Sequence, residues 1–355
     1  VNPLSSLNNK SNDIRSKVIT NNVVEIKLPF VPGLSYKLNT GYTYQNSSWK
    51  QYQGMDTYYG ARSNGILNTD DWHSQEWILE NIITYTREFG KHRIFFTGLY
   101  SAQSYEKEGN GMEGKDFPND VMYYYQISKA ATMSGSSSYT KQNHISQMAR
   151  LNYSYDSRYL LTLTARRDGY SAFGSQSKFG IFPSMAIGWN ISNEHFFQAS
   201  PLAKVVSNLK YRLSWGKNGN RAVGTYAAFM QLAPRKYIYV DPATGSLVTA
   251  NTFYASTMAN PNLKWESTTS WNIGTDLTFL KGRLSANLDV YKKITTDLLV
   301  SRELPSLIGY SSVMSNIGEV QNTGVELSLN STNIRMDKLT SVSYTHLRAH
   351  ETLAN

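Results

Sequence analysis

A chain of 355 residues with 40% hydrophobic and only 17% charged residues is neither disordered nor an ordinary charged soluble protein. Cysteine is absent, which excludes a disulfide frame, a thiolate metal site and a cysteine nucleophile. No apolar run approaches the ~18–20 residues of a membrane helix. The net charge of +9 is scattered, with pairs such as Arg166-Arg167 and Lys292-Lys293 but no basic stripe, so nucleic acid is not an expected partner.

Taken in chain order, the sequence predicts about eleven strands. They cover residues 23–28, 34–45, 77–89, 92–106, 142–156, 158–168, 179–192, 209–216, 264–280, 282–297 and 322–331. The signal is period-two alternation. Leu209, Tyr211, Leu213 and Trp215 share one side of their segment, opposite Lys210, Arg212 and Ser214. Trp271, Ile273, Thr275, Leu277 and Phe279 oppose Asn272, Gly274, Asp276 and Thr278. Leu284, Ala286, Leu288 and Val290 likewise oppose Ser285, Asn287 and Asp289. Successive strand side chains point to opposite faces, so each segment carries one apolar and one polar wall. Pro183 interrupts such a segment and predicts a bulge or curvature there.

The connections alternate between short and long. Short links fall at residues 31–33, 90–91, 157 and 281, and long polar stretches at 46–76, 107–141, 217–266 and 298–321. Residues 169–178 form a medium loop, and the joint at 193–208 predicts a helical turn on the short side. A soluble sandwich or propeller spaces its turns evenly. Short periplasmic turns alternating with long extracellular loops are the signature of an antiparallel transmembrane β-barrel in a bacterial outer membrane. Trp189, Phe196, Phe197 and Trp215, near strand ends, are candidates for an interfacial aromatic girdle.

Signs of catalysis are weak. Gly109, Gly111 and Gly114 match G-x-G-x-x-G but lack a βαβ context, and a flexible extracellular loop is expected there. His73, His92, His144 and His195 have no ligand spacing, so neither metal nor cofactor is expected. No nucleophile elbow or H-E-x-x-H helix occurs, and no catalytic residue is assigned. The candidates for substrate or lid contact are loop aromatics: Tyr58, Tyr59, Trp72, Tyr123, Tyr124, Tyr125, Phe229, Tyr237 and Tyr239. A flat ring with a polar tip suits a sugar face, a peptide side chain or a protein lid.

Five stretches carry a family likeness: RYLLTLTARRDGYSAFG from Arg158, KFGIFPSMAIGWNISNEHFF from Lys178, LKYRLSWGKNGN from Leu209, NPNLKWE from Asn260 and GEVQNTGVEL from Gly318. In order and spacing they resemble the SusC/RagA family of TonB-dependent outer-membrane transporters of Bacteroidota. The resemblance implies a plugged barrel of about 22 strands, of which residues 1–340 would supply about half. It implies import of glycans or peptides with a SusD-like surface lipoprotein as lid. TonB would drive the cycle through an N-terminal region outside this chain, and outer-membrane lipid would surround the wall. An open-edged antiparallel sheet is therefore expected. An outer-membrane barrel enzyme and a soluble carbohydrate-binding β protein are the alternatives.

Residues 341–352 read SVSYTHLRAHET, which fits no strand period and matches the translation of a transposase-type sequencing adapter. Residues 341–355 are therefore expected to be foreign, without register to the preceding strand. His346 and His350 are set aside as ligands for the same reason.

Overall fold

The computed structural model describes residues 3–336 and 339–354. Twelve strands form one antiparallel sheet: β1 (Lys10–Lys27), β2 (Leu34–Gln53), β3 (Ile66–Phe89), β4 (His92–Lys115), β5 (Thr132–Tyr155), β6 (Tyr159–Tyr170), β7 (Phe179–Asn190), β8 (Val206–Asn220), β11 (Glu266–Phe279), β12 (Leu284–Thr296), β15 (Glu319–Met336) and β16 (Leu339–Ala354). Two separate hairpins, β9 (Gln231–Val240) with β10 (Leu247–Thr257) and β13 (Leu299–Glu303) with β14 (Ser312–Asn316), lie in the long connections. Sheet order follows chain order from β1 to β16, and no ladder joins those two among the described residues. The expected open-edged sheet is what forms.

The chain divides into two compact units, one drawn from Val1–Val24, Leu38–Glu80 and Ser101–His144, the other from Glu25–Lys37, Asn81–Tyr100 and Ile145–Asn355. In the second unit the strand register aligns the alternation of neighbouring strands. Leu161, Ile187, Leu213, Ile273, Val290 and Val325 make one cross-strand row. Tyr159, Trp189, Tyr211, Thr275, Leu288 and Leu327 make a row on the same face. Most of the apolar side chains on this face are exposed: Ile273 is 58% accessible and Trp271, in the adjoining row, 50%. Between them, on the opposite face, Asn272, Asp276 and Asp289 are half-buried and Gly274 is buried. A water-soluble sheet places its apolar wall inward. This one is inside out, as a strand wall facing lipid must be.

The strands run longer than their apolar alternation. The first begins at Lys10 rather than near Val23, the second continues to Gln53, and the third begins at Ile66 rather than Trp77. Glycines 109, 111 and 114 lie in strand β4 rather than in a loop. At Gly109 a Cβ would come within 3.1 Å of Trp72 Cβ, so that glycine serves close cross-strand packing. Pro183 causes no bulge. The ladder to β6 passes through Ala165↔Pro183 in register, while the ladder to β8 stops at Ser184. Ending one ladder beside the residue that lacks an N–H removes the need for a bulge.

The short side is pinned by charge. Residues 193–208 contain the expected helical turn, α1 (His195–Gln198). Arg158 bridges Asp156 at 2.6 Å and Glu194 at 3.2 Å, and Lys91 reaches Asp156 at 2.9 Å. The Lys91 hydrogen bond holds the Asp156 carboxyl below its usual range, and bonds from the Trp189 indole and the Tyr159 hydroxyl do the same for Glu194. Trp189 thus sits where a girdle aromatic belongs, accompanied by Tyr159 and Tyr211 on the same row. Phe197 does not, because it is buried in the turn; Phe196 beside it is exposed, and Trp215 lies four residues farther along its strand than Tyr211.

Strand β16 corrects the expectation that the tail lacks register. It pairs with β15 from Met336↔Leu339 to Val320↔Ala354, with one irregularity at Thr332/Ile334. Val, Tyr and Thr favour extended backbone, and an open sheet edge offers unpaired groups to any extended segment. Val342, Tyr344 and Leu347 remain exposed.

Two outcomes follow from these arrangements. Leu213→Arg, on the apolar face, is expected to lower stability in urea titrations of the membrane-reconstituted protein by about 2–4 kcal/mol. Ser214→Arg, one residue on and facing the other way, should cost less than about 1 kcal/mol; equal costs would rule out a lipid-facing wall. For the tail, long-read sequencing of the source DNA is expected to show the native reading frame diverging after Thr340. Genomic DNA that encodes residues 341–352 and continues in frame would refute the foreign origin.

Candidate functional site

In the first unit, two connections between long strands are welded into one platform. Tyr52, Leu67 and Phe117 are its buried apolar centre, with Met55, Tyr124, Ile127 and Ala130 packed against them. Gly65 adopts φ +89°, and a Cβ there would lie 2.5 Å from the Tyr52 hydroxyl, so glycine is required. Asp120 joins the two connections: it accepts the Tyr52 hydroxyl at 2.7 Å and the Met55 N–H at 3.0 Å. Backbone bonds from Asp116 N–H to Ser63 O and from Phe117 N–H to Asn64 O complete the weld.

This platform presents most of the candidate aromatics. Tyr58 and Tyr59 meet edge to face with centroids 4.8 Å apart, and the Arg62 guanidinium covers the Tyr58 ring at 4.3 Å. Arg62 also donates to the Tyr58 hydroxyl at 2.7 Å, so Tyr58 is fixed while Tyr59 is 62% accessible. Tyr123, Tyr124 and Tyr125 form a single 3-10 turn. Tyr124 packs inward on the buried centre, whereas Tyr125 is 68% accessible. Lys10 and Lys50 place their ammonium groups 5.7 Å and 5.9 Å from the Tyr123 and Tyr125 rings. Trp72 is a strand residue of β3 rather than a loop residue, with the Lys107 ammonium 4.1 Å over its ring.

The second unit holds the other candidates. Phe229 lies exposed in the connection after β8. Tyr237 and Tyr239 belong to strand β9 of a hairpin, stacked at 6.2 Å with 18° between their planes. The β8–β11 connection contributes to a buried core of Tyr170, Ala172, Phe173, Phe182, Ala228, Leu263 and Trp265. The Trp265 indole donates to Lys178 O at 3.1 Å, and the Gly174 N–H donates to Leu263 O. A Cβ on Gly174 would stand 1.9 Å from Pro261 O, so the two segments meet backbone to backbone. The glycine, the proline and the tryptophan of the recognised stretches are the parts of this one contact.

Sequence reading missed a charged cluster on the polar wall. Arg212 donates to both oxygens of Asp276 at 2.8 and 2.9 Å, and reaches Asp289 on the next strand at 3.1 Å. Gly274 lies directly opposite both Arg212 and Asp289, and a Cβ there would come within 2.7 Å of the guanidinium. The available signal was a glycine standing where the alternation of β11 calls for a polar side chain. One guanidinium is shared between the two carboxylates, so each of them is held in an ion pair. His92 hydrogen-bonds Tyr153 at 2.7 Å, His195 lies 3.4 Å from Arg158 and His73 stands 3.6 Å from Glu108. Among the described residues no three His, Cys, Asp or Glu side chains gather in a metal-holding group.

The family model for TonB dependent receptor-like β-barrels matches residues 5–355. Among curated relatives, TonB-dependent receptor P3 of Formosa agariphila is 33% identical over 306 residues, covering 86% of this chain and 30% of that protein. TonB-dependent receptor SusC of Bacteroides thetaiotaomicron is 33% identical over 341 residues, 93% of this chain and 32% of its own length. The chain thus spans about a third of the relatives it matches. In fold it is similar to the RagAB peptide transporter, with TM-score 0.86 and 23% identity, covering 99% of this chain and 38% of that one.

The platform separates its supports from its presented rings, and substitutions should tell them apart. Asp120→Ala strands the Tyr52 hydroxyl and the Met55 amide, with an expected cost of about 1–3 kcal/mol and faster hydrogen exchange at Met55. Tyr59→Ala should stay within about 0.5 kcal/mol. Unchanged exchange in the Asp120 variant would show that the connections are held by other bonds.

Proposed function

The chain belongs to the TonB-dependent receptor β-barrel family of the outer membrane, and on that premise we propose that it is part of an energised importer of large nutrients, glycans or peptides. The observation that carries this reading is the inside-out wall: exposed apolar rows on one face and ion-paired polar residues on the other. Such a wall encloses a polar passage and faces lipid outside. The soluble carbohydrate-binding alternative has no use for it. The relatives are receptors and transporters rather than enzymes, and no catalytic role is assigned to any residue.

A SusD-like surface lipoprotein is the proposed lid, and TonB the proposed energy source. The exposed rings Tyr59, Tyr125, Phe229 and Tyr237 are the proposed contacts with substrate or lid. Exposed aromatics held on a rigid base lose little conformational freedom on binding. The solved RagAB system is described as a peptide transporter, which supports the peptide arm, while stacking of rings on sugar faces supports the glycan arm.

The test is uptake. Deleting the gene that carries this chain should abolish accumulation of either fluorescent oligosaccharides or fluorescent oligopeptides, and removing TonB should abolish the same class. Retained uptake of both classes in the deletion strain would overturn the importer reading.

A further inference from the structure

Pocketed into the lipid-facing wall is a groove of about 440 Å³. Trp271, Ile273, Val290 and Val325 line its apolar length, with Thr323 beside them on the same face. It forms because β15 offers only the small Thr323 and Val325 where Trp271 and Ile273 stand two strands away. Trp215 backs Trp271 at 6.1 Å, which keeps that wall upright. None of its lining belongs to β16.

One end of the groove is basic. Lys292 lies directly opposite Trp271 and Thr323. Its ammonium has no hydrogen bond or ion pair among those found for the described residues. Lys217 stands one row farther along the same face, opposite Thr269. Arg167, which is paired in register with Ile181 and stacks on the Phe179 ring at 3.9 Å, occupies the corresponding end of β6. The end is the outer one. Lys292 is eight residues from Leu284, where β12 leaves its short turn, so at ~3.3 Å per residue it is about 26 Å along the strand. At a tilt of ~35–45° that length rises about 19–22 Å, which places Lys292 in the outer part of an apolar band ~25 Å tall.

We propose that this groove is a binding site for an anionic, phosphate-bearing lipid of the outer leaflet, its acyl chain along Ile273, Val290 and Val325 and its phosphate at the Lys292 ammonium, with phosphatidylglycerol as the probe of that chemistry. A lysine that merely extends past the hydrocarbon needs no groove beneath it. Here the apolar channel and the unpaired cation are continuous, which is the shape and charge of a lipid rather than of a free anion. The site rests on the membrane position of the wall and not on import, so it can stand or fall independently of the transported nutrient.

The experiment is native mass spectrometry of the full-length protein containing this chain, purified in mild detergent. Dioleoyl phosphatidylglycerol or dioleoyl phosphatidylcholine is added at equal concentration. The phosphatidylglycerol adduct should exceed the phosphatidylcholine adduct about fivefold, the factor one lysine contributes near an anionic lipid surface. Lys292→Gln should reduce it to the phosphatidylcholine level. Val325→Trp fills the groove and should remove both adducts. Lys293→Gln, whose ammonium lies over the Tyr291 ring, should leave the preference unchanged. Each variant is compared only after its β-sheet circular dichroism matches the parent; Lys292→Gln, at an exposed position, meets that condition even should the groove-filling variant fail. Equal adducts in the parent, or a preference that survives Lys292→Gln, would overturn the site.

Discussion

Everything in this wall depends on one constraint: in hydrocarbon, a backbone N–H or C=O without a partner costs several kcal/mol. A strand meets it only by pairing on both sides, which fixes the sheet and leaves side chains as the sole variable. Alternate residues then face lipid, and those must be apolar. The cross-strand rows through Leu213 and Tyr211 are the direct consequence, since register is what brings six separate strands' apolar positions onto one face. The polar wall is free of that requirement, and there charge is tolerated because it is paired. Arg212 with Asp276 and Asp289 is such a case, and it needs Gly274 to let the guanidinium lie across β11.

The same constraint explains which parts of the fold were legible in the sequence. Within the membrane, alternation is enforced, so the segments around Leu209 and Trp271 could be read residue by residue. Beyond it, strands such as Lys10–Lys27, Leu34–Gln53 and Ile66–Phe89 continue outside the alternating segments, and no alternation is required of the added residues. Their pairing is carried by backbone bonds, which leave no hydrophobic period. That is why residues 46–53 and 66–76 read as loop. It also explains why Trp72 and the three glycines of β4 were misplaced.

The candidate site was legible in composition but not in arrangement. Tyrosine clusters in polar connections are visible in any reading, yet nothing local distinguishes Tyr58, clamped by Arg62, from Tyr59, which is presented. The difference is made by contacts formed far along the chain, above all by Asp120 reaching back 68 residues to Tyr52. The recognised stretches around Gly174, Pro261 and Trp265 behave differently. Their residues are special individually, because a backbone-to-backbone approach admits only glycine at Gly174 and the buried indole requires its acceptor at Lys178. Motif residues of this kind announce themselves, whereas a carboxylate that joins two connections does not.

The two faces of the wall therefore carry different information. On the lipid face, any apolar residue of suitable size satisfies the solvent, so departures from that rule need a specific cause. Lys292, standing unpaired above an apolar groove, is such a departure. On the polar face, charges are ordinary and it is the glycine that departs. In the connections, water accepts almost anything, and the informative residues are apolar ones left exposed beside a buried centre, such as Tyr59 and Tyr125. Keeping an apolar ring in water is unfavourable unless something covers it for part of the protein's working cycle. A buried centre beneath the exposed rings of Tyr59 and Tyr125 is the ground on which they are proposed as contacts.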